Sequence, residues 1–363
     1  MNGRYVLVAT VLLAVICIMM HRRRGGEPFD KFGGSELTDA AFGEEPIARE
    51  SIFVSVASYR DPRCWDTIKD LYSKAKHPGR VFVGIVEQNN YEDTQASSQE
   101  ACIKPSEVRV PQKQIRKLKL DYKEAAGPTK ARQLASTLYK GETYYCQVDS
   151  HVRFVQDWDE VCIQEINKCK VPGRSMLTTY PLDETTYNES TLDVPVMCDA
   201  KFNQDGIPVP TAAMKPPSFM NGKPRPNAFI AAGFFFAPRQ WVKDVPFDPG
   251  LDNLFQGEEM LLSARTYTNG YDIYTPSKNI TLHEYIRKEK PKFWTDLGKT
   301  PEYTIKKKQS ESRARRILQL EAPVIEAGAD MYGLGTRRNI VDFWNHAGID
   351  PLAKTTVKNK FCS

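Results

Sequence analysis

From Ser51 onward, apolar and polar positions follow two rhythms. Ser51 to Ser58 (SIFVSVAS) and Val81 to Val86 are short β-branched and aromatic runs, the composition of buried strands. Between them Trp65, Ile68, Leu71, Tyr72 and Ala75 recur at helical spacing, with Asp61-Pro62 placed as N-cap and first helical residue. Strand, helix, strand in that order predicts a parallel βαβ unit. Val108 to Tyr122 alternates in part, with Arg116, Lys117 and Lys119 among its polar positions, as expected of an edge strand protected by charge. Gly127-Pro128-Thr129 opens a helix to about Lys140 with Ala131, Leu134, Ala135 and Leu138 inward.

The pattern continues with a strand from Tyr144 to Phe154, an amphipathic helix marked by Trp158, Val161, Cys162 and Ile166, and a strand from Ser175 to Tyr180. Leu182 to Pro226 is Pro-rich and aperiodic, which predicts a long irregular loop with a lid or acceptor-side role. Asn227 to Ala237 (NAFIAAGFFFA) reads as one buried strand. Phe255-Gln256-Gly257-Glu258-Glu259 leads into a helix closing at Asn269-Gly270, and Tyr271 to Thr275 is the last strand of the sheet. Lys306 to Leu320 and Thr336 to His346 are helical and are expected to brace the domain, with their basic residues forming a solvated face.

Ahead of this pattern the chain has a different character. Tyr5 to Met20 carries no charge and is flanked by Arg4 and by His21 to Arg24, so residues 1–24 are expected to be a single membrane anchor with a basic flank. It falls short of the ~20 residues of a full span, which suits a thinner membrane of the early secretory pathway. Residues 25–50, rich in Gly and acidic side chains with Pro28 and Pro46, read as a stem. Arginines after the span favour a cytosolic C-terminal side, whereas the sequons at Asn188 and Asn279 favour the lumen. The Golgi lumen is the preferred expectation. Apart from Cys17, the cysteines at 64, 102, 146, 162, 169, 198 and 362 show no regular spacing, so neither a zinc site nor a disulfide framework is indicated.

Composition narrows the function. The chain has 363 residues, 41% hydrophobic and 26% charged, enough for one large α/β domain. Its net charge of +5 comes largely from local tracts, and no groove-reading motif accompanies them, which argues against a nucleic-acid partner. No Gly-x-Gly-x-x-Gly follows a strand, which argues against a dinucleotide dehydrogenase.

The informative stretch is Tyr144 to Phe154 (YYCQVDSHVRF), a buried-type run with no turn residue that contains Asp149-x-His151. Strand side chains alternate, so both side chains are expected to point the same way, and a carboxylate beside an imidazole suits a Mn²⁺-like ion with positions open for phosphate oxygens. The triplet alone is common by chance. In an open α/β sheet ligands sit beyond the carboxyl ends of strands, so Ser58, Tyr59, Arg60 and Gln88 would face one crevice. Arg132, on the first turns of the helix before the Tyr144 to Phe154 strand, could reach a diphosphate held at the strand's end, and His283 follows the last strand.

The series VSVASYRD, GIVEQ, GPTKAR, QVDSHVRF-x-x-x-WD, FQGEEMLLSARTYTNGYDIY and LHEYIR resembles the N-acetylglucosaminyltransferases that modify hydroxyproline on a cytosolic ubiquitin-ligase adaptor. It is similar, more distantly, to the polypeptide N-acetylgalactosaminyltransferases. The resemblance covers about residues 51–290 and implies a GT-A-type, Rossmann-like mixed sheet flanked by helices, with 291–363 as a helical extension packing on it. It implies Asp149, His151 and His283 as ligands of Mn²⁺ or Mg²⁺ gripping a UDP diphosphate. Arg132 and, after the metal histidine, Arg287 would contact the donor. Ser58, Tyr59, Arg60 and Gln88 would hold uridine, and Glu258 would sit beside the donor sugar and acceptor hydroxyl, so that Glu258 and Asp149 are the expected catalytic pair. The reaction implied is retaining transfer of N-acetylglucosamine or a related sugar, with UDP-GlcNAc the expected donor, to a protein or glycan acceptor. The same Asp and two His would also suit a metallohydrolase, and a silent sugar-binding protein is the third alternative.

Overall fold

The computed structural model describes residues 50–104, 111–187, 192–286, 290–358 and 360–363. The expected anchor, the stem before Glu50, the Asn188 sequon and Arg287 lie outside them. Among the described residues no helix is long and apolar enough to cross a membrane.

The first βαβ unit forms as the apolar pattern predicts. Strand β1 (Ile52–Tyr59) leads to helix α1 (Cys64–Ser73), which buries Trp65, Ile68, Leu71 and Tyr72, and then to β2 (Val81–Asn89), parallel to β1. β3 (Ile115–Asp121) forms one edge of the sheet, with its Lys and Arg side chains only partly covered. α2 (Pro128–Ser136) buries Ala131 and Ala135, and β4 (Tyr144–Asp149) runs parallel to β1. A turn at Ser150-His151 separates β4 from β5 (Val152–Phe154). The single strand expected over 144–154 is therefore two, and the Asp-x-His triplet spans the turn between them. α3 (Trp158–Asn167) packs behind, and β6 (Ser175–Thr178) returns to the sheet.

Where a loop was expected over 182–226, the described residues include strands. β7 (Leu182–Asp183) is followed by a hairpin of β8 (Val194–Phe202) and β9 (Pro208–Lys215), bulged between Met197 and Asp199. The strand expected over 227–237 is also two elements. β10 (Arg225–Asn227) pairs with β12 (Asp272–Thr275), whereas β11 (Phe234–Pro238) lies antiparallel between β4 and β6. Residues 228–233 cross from one to the other. α4 (Glu258–Thr268) precedes β12, and β13 (Thr281–His283) leaves the main sheet.

Two sheets matter for the site. The large one, in the order β10-β12-β6-β11-β4-β1-β2-β3, is mixed, with β10 and β11 antiparallel to neighbours. The small one, β5-β13-β7, pairs His283 with Val152. In this way a ligand candidate from the end of the fold is laid beside the turn that carries His151.

The C-terminal helices α5 (Pro301–Ile317) and α6 (Ile340–Ala347) bury Ala314, Ile317, Phe343 and Trp344 in a cluster with Met260, Leu261 and Ala264 of α4. On α5, Arg313 is paired with Asp248 and Asp330, and Arg315 with Glu321. The cysteine reading is corrected. Cys64–Cys102 and Cys198–Cys362 are disulfides, and Cys146, Cys162 and Cys169 are free and buried. Their separations of 38 and 164 residues bring partners together only through the tertiary fold, so spacing carried no signal.

Candidate active site

A cavity of about 510 Å³ opens at the carboxyl ends of β1, β2 and β4. It is lined by Tyr59, Gln88, Arg132, Asp149, His151, Glu258 and His283, so seven of the ten expected site residues meet in one place. Ser58 and Arg60 do not line it. Ser58 is fully buried in the sheet. Arg60 is turned aside into ion pairs with Glu100 and Asp296, each at 3.0 Å, and lies over the Tyr122 ring. The alternation that places Tyr59 on the cavity sends its neighbours elsewhere.

Asp149, His151 and His283 each offer one ligand atom, and these atoms lie within 4.8 Å of one another. His283 Nε2 is 3.3 Å from Asp149 Oδ2, and the two imidazole centroids are 4.5 Å apart. The second nitrogen of His283, Nδ1, is buried with no hydrogen-bond partner. One carboxylate oxygen and two imidazole nitrogens form a mixed donor set that a Mn²⁺-like divalent ion accepts. Gly233 leaves space at the same point, since a Cβ there would lie 3.2 Å from Asp149 Oδ2. The residues thus fit a metal.

Arg132 bridges two acids. Its Nη2 donates to Asp149 Oδ1 at 2.7 Å and its Nη1 to Glu258 Oε2. Burial alone would raise the Asp149 carboxyl, but the Arg132 charge and the His283 hydrogen bond outweigh it and hold Asp149 well below the usual carboxylate range. Burial likewise works against the Arg132 cation, and Glu258 and Asp149 more than offset it, so the guanidinium stays charged. Glu258 stands differently: burial dominates over Arg132, and its pKa is raised. Its Oε1 is buried without a partner.

Several site residues gave little signal in the sequence. Asp61 was expected to cap α1, but the N-cap position is Arg63, whose N–H donates to Asp61 Oδ1. Its other oxygen faces His151 Nδ1 at 2.7 Å. Glu259, read as a mere complement to the helix dipole, accepts from Tyr180 Oη at 2.7 Å and from the Ala232 N–H at 2.9 Å. Burial pushes its carboxyl up to about 7 against these two hydrogen bonds. Gly257, at φ 113°, turns the chain so that Glu258 and Glu259 begin α4 at the cavity, a conformation that favours glycine. Tyr285, Phe293 and Trp294 complete the lining.

A family model described as Glycosyltransferase (GlcNAc) matches residues 51–110 and 96–353. The chain belongs to that family. The match extends past residue 290, so the C-terminal helices lie largely within the family's own extent. A search of curated proteins found no match. Among solved structures, the chain is similar to GalNAc-T7 with UDP, GalNAc and Mn²⁺, at TM-score 0.53 and 11% identity over 81% of this chain. The chain spans only 56% of that protein, and at this identity the likeness shows the fold alone. S. aureus TarS 1-349 in complex with UDP-GlcNAc is also similar, at TM-score 0.43 and 12% identity, over 76% of this chain and 68% of that one. The fold, a large mixed sheet flanked by helices, is like that of the GT-A glycosyltransferases.

Proposed function

We propose that the chain is a metal-dependent, retaining glycosyltransferase that moves N-acetylglucosamine, or a related sugar, from a UDP-sugar to a hydroxyl of a protein or glycan. The observation that carries this reading is the convergence of Asp149, His151 and His283 within 4.8 Å on the wall of the cavity, in a chain of this family. GalNAc-T7, a fold relative, was solved with UDP, GalNAc and Mn²⁺, a nucleotide and an ion of the kind proposed for this chain.

Asp149, His151 and His283 would hold Mn²⁺ or Mg²⁺. When bound, the ion supplies Lewis-acid stabilisation of the leaving diphosphate. Arg132 adds a fixed positive charge where negative charge develops. Tyr59 and Gln88, on the cavity wall, would contact the nucleoside, and Arg287 remains a proposed donor contact outside the described residues. In the transfer the bond from the anomeric carbon to the phosphate oxygen breaks and one to the acceptor oxygen forms on the same face. The departing phosphate takes the acceptor proton. Pairing of Glu258 with Arg132 favours this route over a covalent intermediate, because it holds the carboxylate oxygen against the guanidinium.

The same reading extends to location. Two disulfides suit an oxidising compartment, which supports an anchor at 1–24, a stem at 25–50 and a catalytic domain in the Golgi lumen. A UDP-release screen across UDP-sugars, with and without Mn²⁺, tests the function. Mn²⁺-dependent release, fastest with UDP-GlcNAc or a close relative, is expected. Release unaffected by metal, or none from any UDP-sugar, overturns the proposal.

A further inference from the structure

The two histidines of the candidate metal site are held in different ways. His283 Nδ1 has no partner, whereas His151 Nδ1 lies 2.7 Å from Asp61 Oδ2. Asp61 is fully buried, just beyond the carboxyl end of β1. Its Oδ1 accepts from the Arg63 N–H at 3.0 Å, and its Oδ2 also accepts from Ser150 Oγ at 2.7 Å. The Asp61 carbonyl accepts from the N–H of Cys64, the first residue of α1 and one end of the Cys64–Cys102 disulfide. A carboxylate restrained on both oxygens is a poor mobile base and a good fixed acceptor.

We infer that Asp61 is a positioning residue that selects the tautomer of His151 and thereby sets the strength of the metal site. By taking the Nδ1 proton in a hydrogen bond, Asp61 leaves the Nε2 lone pair of His151 free toward Asp149 and His283. A carboxylate behind a ligating imidazole also raises its basicity and fixes the ring plane. The surrounding turn is tied to the same helix: Thr67 Oγ1 lies within hydrogen-bond reach of the Ser150 and Val152 carbonyls, at 2.9 and 3.0 Å, and accepts from the Val152 N–H at 3.1 Å. The loop after β1 would thus serve the metal through Asp61 and His151. This inference rests on the proposed metal site.

Mn²⁺ binding, measured by calorimetry and by the spin-resonance signal of the free ion, tests it without reference to turnover. Asp61→Asn should raise the Mn²⁺ Kd roughly 10- to 100-fold. Ser150→Ala, which removes the other donor to the same oxygen and the longer 3.3 Å contact of Ser150 Oγ with His151 Nδ1 but leaves the Asp61–imidazole bond, should weaken binding by no more than about threefold. In the metal-free wild-type protein at about pH 8, above the usual imidazole pKa, nitrogen-15 spectra should show the His151 proton on Nδ1. An unchanged Mn²⁺ Kd in Asp61→Asn, equal losses in the two variants, or a His151 proton on Nε2 in the wild type overturns the inference. A wild-type protein that binds no Mn²⁺ overturns the functional reading itself, while the tautomer measurement still tests the Asp61–His151 bond.

Discussion

The two walls of the cavity are built from different materials. The wall at the ends of β1 and β4 consists of interlocked charges. Asp61 holds His151, and Arg132 joins Asp149 to Glu258. The facing wall, from the β8–β9 hairpin, the segment before α4 and the stretch after residue 290, offers Pro208, Val209, Pro210, Phe255 and Trp294. Phe255 and Trp294 are 55% and 48% exposed, with ring centroids 5.2 Å apart. Charges at short fixed distances favour one chemistry and tolerate little change. Exposed apolar surface imposes no such geometry, which suits it to recognition of an acceptor.

Substitutions on the charged wall should have the largest effects. Asp149→Ala or His283→Ala is expected to lower Mn²⁺-dependent UDP-sugar turnover by about 10³-fold or more, with the fold retained by circular dichroism. Fold retention follows because Arg132 keeps Glu258 as a partner when Asp149 is removed. Normal turnover in either variant breaks the comparison. Arg132→Met removes the cation from between the buried Glu258 and the partly buried Asp149 and should destabilise the protein by about 3 kcal/mol in urea unfolding. A loss of activity without a loss of stability would mean that the guanidinium is not a structural link within the charged wall.

Acidity sharpens the contrast on a smaller scale. Asp149 is held low in the folded state, so its contribution to stability is present above the ordinary carboxylate pKa and is lost as pH falls. Glu259 is raised to about 7, so its contribution has the opposite sign: present below the unfolded carboxylate pKa and lost as pH rises through about 7. Because Glu259 is only partly buried, Glu259→Gln should remove about 1–2 kcal/mol of that pH dependence, read as urea midpoints between mildly acidic and mildly alkaline buffer. An unchanged slope would show that Glu259 does not carry it. Smallest in stability terms are Phe255→Ala and Trp294→Ala, expected within about 0.5 kcal/mol of wild type. Each should still raise the acceptor KM by roughly tenfold, about 1.4 kcal/mol, while leaving the donor KM near its original value.

The same division governs what the sequence could reveal. The charged wall was legible because its candidate ligands stand at strand ends, where a polar residue after an apolar run is conspicuous: Asp149 closes β4 and His283 closes β13. Even there His151 reached its place by a turn and not by strand alternation. Asp61 was hidden because a carboxylate ahead of a helix has a sufficient local explanation as a cap. The apolar wall was illegible for a different reason. Pro195, Pro208 and Pro210 lack N–H donors and argue against strands, yet β8 and β9 form an isolated two-stranded ribbon whose outer edges tolerate them. In Asn227 to Ala237 the apolar run conceals a change of partner. The Ala232 N–H donates to Glu259 and its carbonyl accepts from Gln147, so this backbone leaves the ladder for side chains of α4 and β4.

The central claim is that three distant side chains grip an ion that in turn holds the nucleotide. UDP affinity measured by calorimetry on the wild-type protein, with Mn²⁺ and then with the metal chelated, tests it most directly. UDP binding that falls at least about tenfold on chelation, a difference of about 1.4 kcal/mol, is predicted. Equal affinity in the two conditions would contradict the account.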